Sequence, residues 1–232
     1  MCAEGPFDLI IADPPYGDTS LPWDRRVQGW IPVALALLKP SGSMWVFGSM
    51  RYFLVHGVPD GWKYAQDIVW EKHNGSGFAV DRFKRVHEHV VQFYPQHVPW
   101  ADVWNSPQTT PDAQRKLVKR RKSRPPHMGD IPSSSYQSED GGPRIMRSVV
   151  EMRSMHGRAI HPTEKPSSLV EILIRTSCPP NGLVGDFFAG SASAGEAALM
   201  SGRHYVGCEV DPRMARKAQD RLSSLLPLGD AA

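Results

Sequence analysis

Residues 183–201 read LVGDFFAGSASAGEAALMS, and this stretch decides the fold class. The apolar run at 183–188 predicts a buried strand, and the Ala- and Gly-rich run at 194–201 predicts a helix. The turn that joins them consists almost only of small residues. Small side chains let the backbone approach a ligand closely, and the start of a helix offers free N–H groups. The pattern is typical of a ligand-binding turn in an α/β fold.

The strand predicted next, at 205–210, carries an acidic residue, Glu209, 19 residues after Gly190. In dinucleotide-binding folds, an acidic residue at about this distance accepts hydrogen bonds from ribose hydroxyls. The turn lacks a full G-x-G-x-x-G and a G-K-[ST], which disfavours a pyrophosphate or a nucleoside triphosphate. An adenosine-containing ligand without phosphates, such as S-adenosylmethionine, needs fewer glycines. The alternative interpretation is a tight turn that binds no ligand.

A second motif, Asp13-Pro14-Pro15-Tyr16, directly follows a strand predicted at 7–12, which places it at the carboxyl edge of the sheet. The prolines fix two φ angles, so the Pro14 carbonyl and the Asp13 carboxylate form a pair of acceptors beside an aromatic ring. Such a set suits a planar heterocycle with an amine, on which Tyr16 would stack. In-line methyl transfer to that amine needs chiefly positioning and charge complementarity. A proline-rich turn with an incidental tyrosine is the alternative.

The remaining elements are consistent with an α/β sheet interrupted by an insert. Helices are predicted at 27–38, 167–177 (capped by a serine) and 212–225, and strands at 43–47, 68–70 and 89–94, with a turn at 39–42. Between about 95 and 155 the apolar periodicity fades, and this segment is too long for an ordinary connection. The sequence therefore predicts two halves of one domain, 1–94 and 156–232, separated by a partly mobile insert at 95–155.

The charge distribution points to a polyanionic partner. The chain has a net charge of +3, but residues 81–160 alone carry +6 and the remainder −3. A basic block of this kind is the electrostatic footprint of nucleic acid binding, although a solvated basic loop is the alternative. The candidate DNA-binding residues are Arg115, Lys116, Lys119, Arg120, Arg121, Lys122 and Arg124.

Several classes of protein are disfavoured by composition. No run of 18 or more apolar residues exists, so no membrane span is predicted, and the first residues do not resemble a secretory signal. Three cysteines without C-x-x-C spacing suit a cytoplasmic protein. His87 and His89 alternate without a third ligand, so no metal site is predicted.

Four motifs occur in a fixed order: DPPY at 13–16, HPTEKP at 161–166, DFFAGSA at 186–192 and YVGCEVDP at 205–212. Together they resemble the N6-adenine/N4-cytosine DNA methyltransferase family, in its β class, where the catalytic motif precedes the cofactor motif. The resemblance covers roughly residues 7–94 and 156–222. It implies a Rossmann-like S-adenosylmethionine-dependent methyltransferase fold with a seven-stranded sheet, a circularly permuted motif order and an inserted target-recognition region.

The resemblance also implies roles for individual residues. Asp13, Pro14, Pro15 and Tyr16 would be catalytic, acting on a base extracted from double-stranded DNA. Glu209 would bind the cofactor ribose. Because dimerisation is common in the family, a homodimer is a possible state of this protein. The other cofactor-binding residues would be Asp13, Thr163, Lys165, Asp186, Phe187, Ala189, Gly190 and Ser191.

The chain departs from the usual D-P-F-x-G-S-G-T loop at Phe187, Ala192 and Ser193, and Ala192 becomes a point of strain if its φ is positive. The Asp of DPPY favours the N6 amine of adenine over the N4 amine of cytosine. Methylation of RNA or of a protein glutamine shares the same chemistry. A DNA-binding relic that has lost cofactor affinity is the alternative from outside the enzymes.

Overall fold

A computed structural model describes residues 5–18, 20, 21, 24–76, 80–119, 135–155 and 163–225. The chain divides into two compact units. The larger comprises the residues up to Ser106 and those from Ser148 onward, and the smaller comprises Pro107–Arg147.

The larger unit contains a seven-stranded sheet. Its strand order is β11-β10-β1-β2-β4-β3-β9, made of β1 (Phe7–Ala12), β2 (Leu38–Gly48), β3 (Trp62–Ser76), β4 (Arg85–Pro95), β9 (Val149–Glu151), β10 (Leu183–Asp186) and β11 (His204–Gly207). Strand β4 pairs antiparallel with both β2 and β3, whereas the other pairings in this sheet are parallel. One edge of the sheet therefore collects the carboxyl ends of six strands and the amino end of β4.

Both faces of this sheet are covered, which explains why β1 is buried along its whole length. Leu9 and Ile11 of β1 belong to a core cluster that includes residues of α3 and α4, and Ile10 belongs to one that includes residues of α1 and α2. The helices are α1 (Trp30–Leu37), α2 (Met50–His56), α3 (Ser167–Ser177), α4 (Ser193–Met200) and α5 (Pro212–Ser223). Among the described residues, no helix is long and apolar enough to cross a bilayer.

Two local predictions are wrong. The turn predicted at 39–42 is part of β2, which begins at Leu38 and pairs with β1 across a register shift. A Cβ at Gly42 would lie 2.8 Å from the Asp8 carbonyl oxygen, so glycine permits this close approach. The serine cap of α3 is also wrong, because Pro166 is the N-cap and makes no side-chain capping bond. Ser167 instead donates its hydroxyl to Glu196 at 2.7 Å.

The smaller unit consists of two antiparallel ribbons. Strand β5 (Thr109–Thr110) pairs with β8 (Arg144–Ile145), and β6 (Lys116–Lys119) pairs with β7 (Ser135–Ser138). This unit is narrower than the 95–155 insert of the sequence analysis, since β9 belongs to the larger unit and buries Val150 in its core. Three residues are too few to produce an apolar periodicity that sequence can reveal.

Candidate active site

The Asp13 carboxylate lies at the carboxyl end of β1 and accepts two short hydrogen bonds. The Tyr16 hydroxyl donates to Oδ1 at 2.6 Å, and the Lys165 ammonium donates to Oδ2 at 2.6 Å. The residues that follow are also fixed, because the Gly17 N–H donates to Asp24 at 2.8 Å and Arg26 donates to the Tyr16 carbonyl at 3.1 Å. The Asp13–Tyr16 loop is therefore held at both ends by side-chain contacts.

Lys165 joins Asp13 to a second carboxylate. Its side chain is 7% exposed, and its Nζ lies 3.6 Å from Oε2 of Glu88. Lys72 forms an ion pair with the other oxygen of Glu88. Burial alone would lower the pKa of Lys165, but Asp13 and Glu88 outweigh it and raise that pKa. Burial likewise opposes ionisation of Glu88, whose pKa is nevertheless lowered by Lys165 and Lys72. Lys165 and Glu88 are therefore both charged at neutral pH.

Glu88 reaches this site because of the direction and pleat of β4. The amino end of β4 lies at the same edge as the carboxyl ends of its neighbours, and Glu88 is paired with Trp70 of β3. Successive side chains of a strand point to opposite faces. The rings of His87 and His89 pack together, with centroids 5.2 Å apart, and Glu88 points the other way. Sequence analysis considered the two histidines and missed the glutamate between them.

Tyr16 is anchored at both its hydroxyl and its ring. The ring packs against Tyr52 of α2 at a centroid distance of 5.7 Å, while the hydroxyl donates to Asp13. Burial, followed by the charges of Asp13 and Glu88, raises the pKa of Tyr16 well above its ordinary value. The phenol is therefore a permanent donor that orients the carboxylate.

The Asp186 carboxylate, at the end of β10, is buried against neutral donors. Its Oδ1 accepts from the Phe188 N–H at 3.0 Å and its Oδ2 from the Tyr205 hydroxyl at 3.3 Å. Burial, with further contributions from the charges of Asp13 and Glu209, raises the pKa of Asp186 to about 7. Within the described part of the chain, no cationic side chain forms an ion pair with it.

The turn after β10 is tied to the end of β11. Glu209 accepts from the Gly190 N–H at 2.7 Å and from the Asp211 N–H at 2.8 Å. Gly190 and Ala192 both have positive φ, 52° and 56°. The left-handed conformation costs an L-residue roughly 1 kcal/mol or more. The sequence analysis predicted strain at Ala192 if its φ is positive. Because that φ is positive, the strain is present.

A buried charge cluster supports this turn from the side of α5. The Ser191 hydroxyl, 3% exposed as a residue, donates to Glu164 at 2.8 Å. Arg221 pairs with Glu164 at 3.0 Å and donates to the Ser191 carbonyl at 3.2 Å. Its other nitrogen pairs with Glu196. Ser191 thus braces the turn, and neither Glu164 nor Arg221 was singled out by sequence analysis.

The other predicted site residues are placed as follows. The Phe187 ring packs edge-on against Phe7, with centroids 6.3 Å apart, and the Ala189 N–H donates to the Cys208 carbonyl at 2.9 Å. Thr163 is exposed, and its carbonyl accepts from Lys165 at 3.3 Å.

Of the predicted DNA-binding residues, Arg115 and Lys116 are exposed on the smaller unit, and Lys119 ends β6. Arg120, Arg121, Lys122 and Arg124 lie outside the described residues. In the described ranges, no three His, Cys, Asp or Glu side chains are grouped so as to hold a metal ion.

Comparison with known proteins assigns the family and the fold of this chain. Residues 7–220 match the model of the N6/N4 methyltransferases, described as DNA methylases. This match covers most of the chain, and the protein belongs to that DNA methylase family.

Named relatives agree with this assignment. The chain is 25% identical over 236 residues to the type II methyltransferase M1.MboII of Moraxella bovis, covering 94% of this chain and 89% of that protein. Its fold is similar to that of M1.HpyAVI in complex with SAM, with a TM-score of 0.62, 23% identity and coverage of 94% and 90%. It is also similar to the cytosine-N4-specific PvuII DNA methyltransferase, with a TM-score of 0.61, 16% identity and coverage of 95% and 86%. The predicted α/β methyltransferase fold is confirmed.

Proposed function

We propose that this protein transfers a methyl group from S-adenosylmethionine to the N6 amine of adenine at a specific site in duplex DNA. The observation that carries the proposal is the Asp13 carboxylate, held by Lys165 and Tyr16 at the same sheet edge as the Asp186 turn. An acceptor for an amine and a turn suited to an adenosine-containing ligand meet there.

The residues of the turn fit this cofactor. S-adenosylmethionine carries a sulfonium cation and supplies the methyl group from it. The Asp186 carboxylate is buried without a cationic partner among the described residues, and its charge is repelled by Asp13 and Glu209. A cation at this position would relieve that repulsion. Each carboxylate oxygen of Glu209 accepts one hydrogen bond from a backbone N–H group, and its remaining lone pairs can accept from ribose hydroxyls.

The Asp13–Tyr16 loop fits the amine. An ionised carboxylate has about four acceptor sites, so Asp13 can keep Lys165 and Tyr16 and still accept an amine hydrogen. The Pro14 carbonyl accepts the second hydrogen. Bound S-adenosylmethionine would supply the methyl group to this amine, and Asp13 would take up the proton that the amine loses. Lys165 keeps the carboxylate in position for this step.

The choice of adenine rests on the Asp of the DPPY motif, which favours N6 over N4 methylation. Cytosine N4 is the second candidate, because the PvuII enzyme, whose fold is similar, is cytosine-N4-specific. The two products differ in the base that carries the methyl group, so base-resolved detection separates them.

We further propose that the insert at 95–155, centred on Pro107–Arg147, is the target-recognition region between the catalytic half (1–94) and the cofactor half (156–232). The β6–β7 ribbon exposes Lys116 together with Leu117 and Tyr136. A two-stranded ribbon fits the major groove, where bases present distinct patterns of donors and acceptors.

The deciding experiment expresses the protein and its Asp13→Ala variant in a methylation-free host, followed by sequencing that detects methylated bases. We expect N6-methyladenine within one short sequence for the parent protein and none for the variant. N4-methylcytosine would favour the second candidate.

A host genome without either base would refute DNA methylation. Labelled methyl transfer to RNA and to protein would then test the shared chemistry. Calorimetric titration without detectable binding at millimolar S-adenosylmethionine would indicate the relic.

A further inference from the structure

The described part of the connection between β3 and β4, residues 80–84, lies at the same sheet edge as the Asp13–Tyr16 loop. Strand β3 runs towards that edge and β4 away from it, so residues 80–84, the described part of the hairpin tip, lie there. Arg85, the first residue of β4, lies 3.6 Å from Asp18, two residues beyond Tyr16. The described part of the tip therefore borders the loop that receives the target base.

The tip exposes apolar side chains that pack against nothing in the described structure. Phe83 is 100% exposed and Val80 is fully exposed as well. Phe7, Phe47 and Phe93, in contrast, are buried in the core. A fully solvated phenylalanine ring beside an active site gains no stability for the folded chain, so its role is expected in a complex.

Basic residues flank Phe83 in the sequence. Arg82, Lys84 and Arg85 are all exposed, and the single acidic residue, Asp81, pairs with Arg82 at 2.5 Å. Both members of that pair are more than 60% exposed, so the pair contributes little to stability. A phosphate can therefore readily replace Asp81 as the partner of Arg82. An aromatic ring flanked by cations is the arrangement that binds nucleic acid, with bases stacked on the ring and phosphates neutralised.

We propose that Val80–Arg85 forms a DNA-binding tip, in which Phe83 stacks in the gap left by the extracted target base. Arg82, Lys84 and Arg85 contact the flanking phosphates. Apolar wedges between base steps are a known way of unstacking a duplex, and extraction of a base is least costly where its place is filled. The inference rests on the proposed DNA methylation and adds a surface that lies outside the smaller unit.

The first experiment compares Phe83→Ala with Phe83→Trp on a duplex that contains the methylated sequence, with 2-aminopurine at the target position. We expect Phe83→Ala to lose most of the fluorescence increase that accompanies base extraction and to lower kcat/KM about tenfold, the effect of one lost stacking contact. Phe83→Trp should retain both. Placing the target base opposite an abasic site should restore most of the activity of Phe83→Ala.

Met200→Ala, at an apolar residue that is 67% exposed on α4, is the matched control and should behave like the parent protein. Equal fluorescence and kcat/KM for Phe83→Ala and the parent protein would overturn the role of Phe83. Absence of methylation by the parent protein would instead refute the proposed function, so the two failures are distinguishable.

The second experiment measures duplex binding against salt concentration and needs no turnover. The double variant Arg82→Ala, Lys84→Ala should reduce the slope of log K against log salt by about 2, one for each lost phosphate contact. Arg213→Ala, Lys217→Ala is the matched control. Arg213 also pairs with a nearby aspartate, Asp211, and lies on α5, which follows the opposite edge strand β11. An unchanged slope in the first double variant would overturn the phosphate contacts.

Discussion

Asp13 directly follows β1 and Asp186 ends the adjacent parallel strand β10, yet the two carboxylates have opposite kinds of partner. Asp13 is paired with the buried Lys165, which Glu88 also contacts. Among the described residues, Asp186 has only neutral donors, and burial raises its pKa to about 7. Asp13 thus has a cationic partner within the chain, whereas the proposed function gives Asp186 its cationic partner in the cofactor.

The largest expected effect is at the paired carboxylate. Asp13→Ala removes an acceptor of the amine hydrogens and should lower the single-turnover rate of methyl transfer by about 10³-fold or more, the size of a lost preorganised contact. Duplex affinity should stay within a few-fold, as measured by fluorescence anisotropy. Full activity in this variant would remove Asp13 from the mechanism.

Lys165→Met should affect both rate and stability. The substitution leaves Asp13 and Glu88 without their shared cation, and losing one partner of a buried pair costs about 3 kcal/mol of unfolding free energy. Misplacement of Asp13 should lower the transfer rate about 100-fold. Urea unfolding and single-turnover kinetics measure the two effects.

The double variant Lys165→Met, Glu88→Gln separates these two effects. It removes a carboxylate that has lost one of its two cations, and should recover part of the stability while the rate stays low. If the second substitution lowers stability further, Glu88 is held mainly by Lys72.

Asp186 should make cofactor affinity depend on pH. The carboxyl is half-protonated near its pKa of about 7, and only its anion attracts a cationic ligand. Calorimetric affinity for S-adenosylmethionine should therefore increase about tenfold from pH 6 to pH 8. Asp186→Asn should bind more weakly at pH 8 and should lack this component. The same pH dependence in both proteins would show that another group titrates.

The raised pKa of Asp186 has the opposite sign for the stability of the protein without cofactor. Because the ordinary value is 3.8, the contribution of Asp186 to stability is fully present below that pH and is lost as pH rises through about 7. Urea unfolding of Asp186→Asn should show a smaller loss of stability between pH 5 and pH 8 than the parent protein.

The smallest effect is expected at Ala192, where φ is 56°. Ala192→Gly relieves left-handed strain and should raise the unfolding free energy by about 0.5–1 kcal/mol. Ala197→Gly, within α4, is the matched control and should lower it by about 1 kcal/mol, the helical cost of glycine. Destabilisation by both substitutions would mean that the methyl group of Ala192 contributes more through packing than it costs in strain.

Local patterns in the sequence were sufficient to predict the strand and the helix that lie next to the site. Strand β1 and helix α3 have the predicted bounds, Phe7–Ala12 and Ser167–Ser177. A continuous apolar run and an amphipathic repeat are properties of neighbouring residues, so they are readable from sequence. The four motifs also sufficed for the methylase family and its fold.

The sequence by itself determined that an acidic, proline-rich loop and a small-residue turn would meet at one sheet edge, because parallel strands end together. Only the tertiary structure decided which charges accompany them. Glu88 enters the site through the antiparallel direction of β4, and Lys165, expected near the cofactor, is bonded to Asp13. Pairings across 152 residues of chain depend on strand order and direction, which no local pattern encodes.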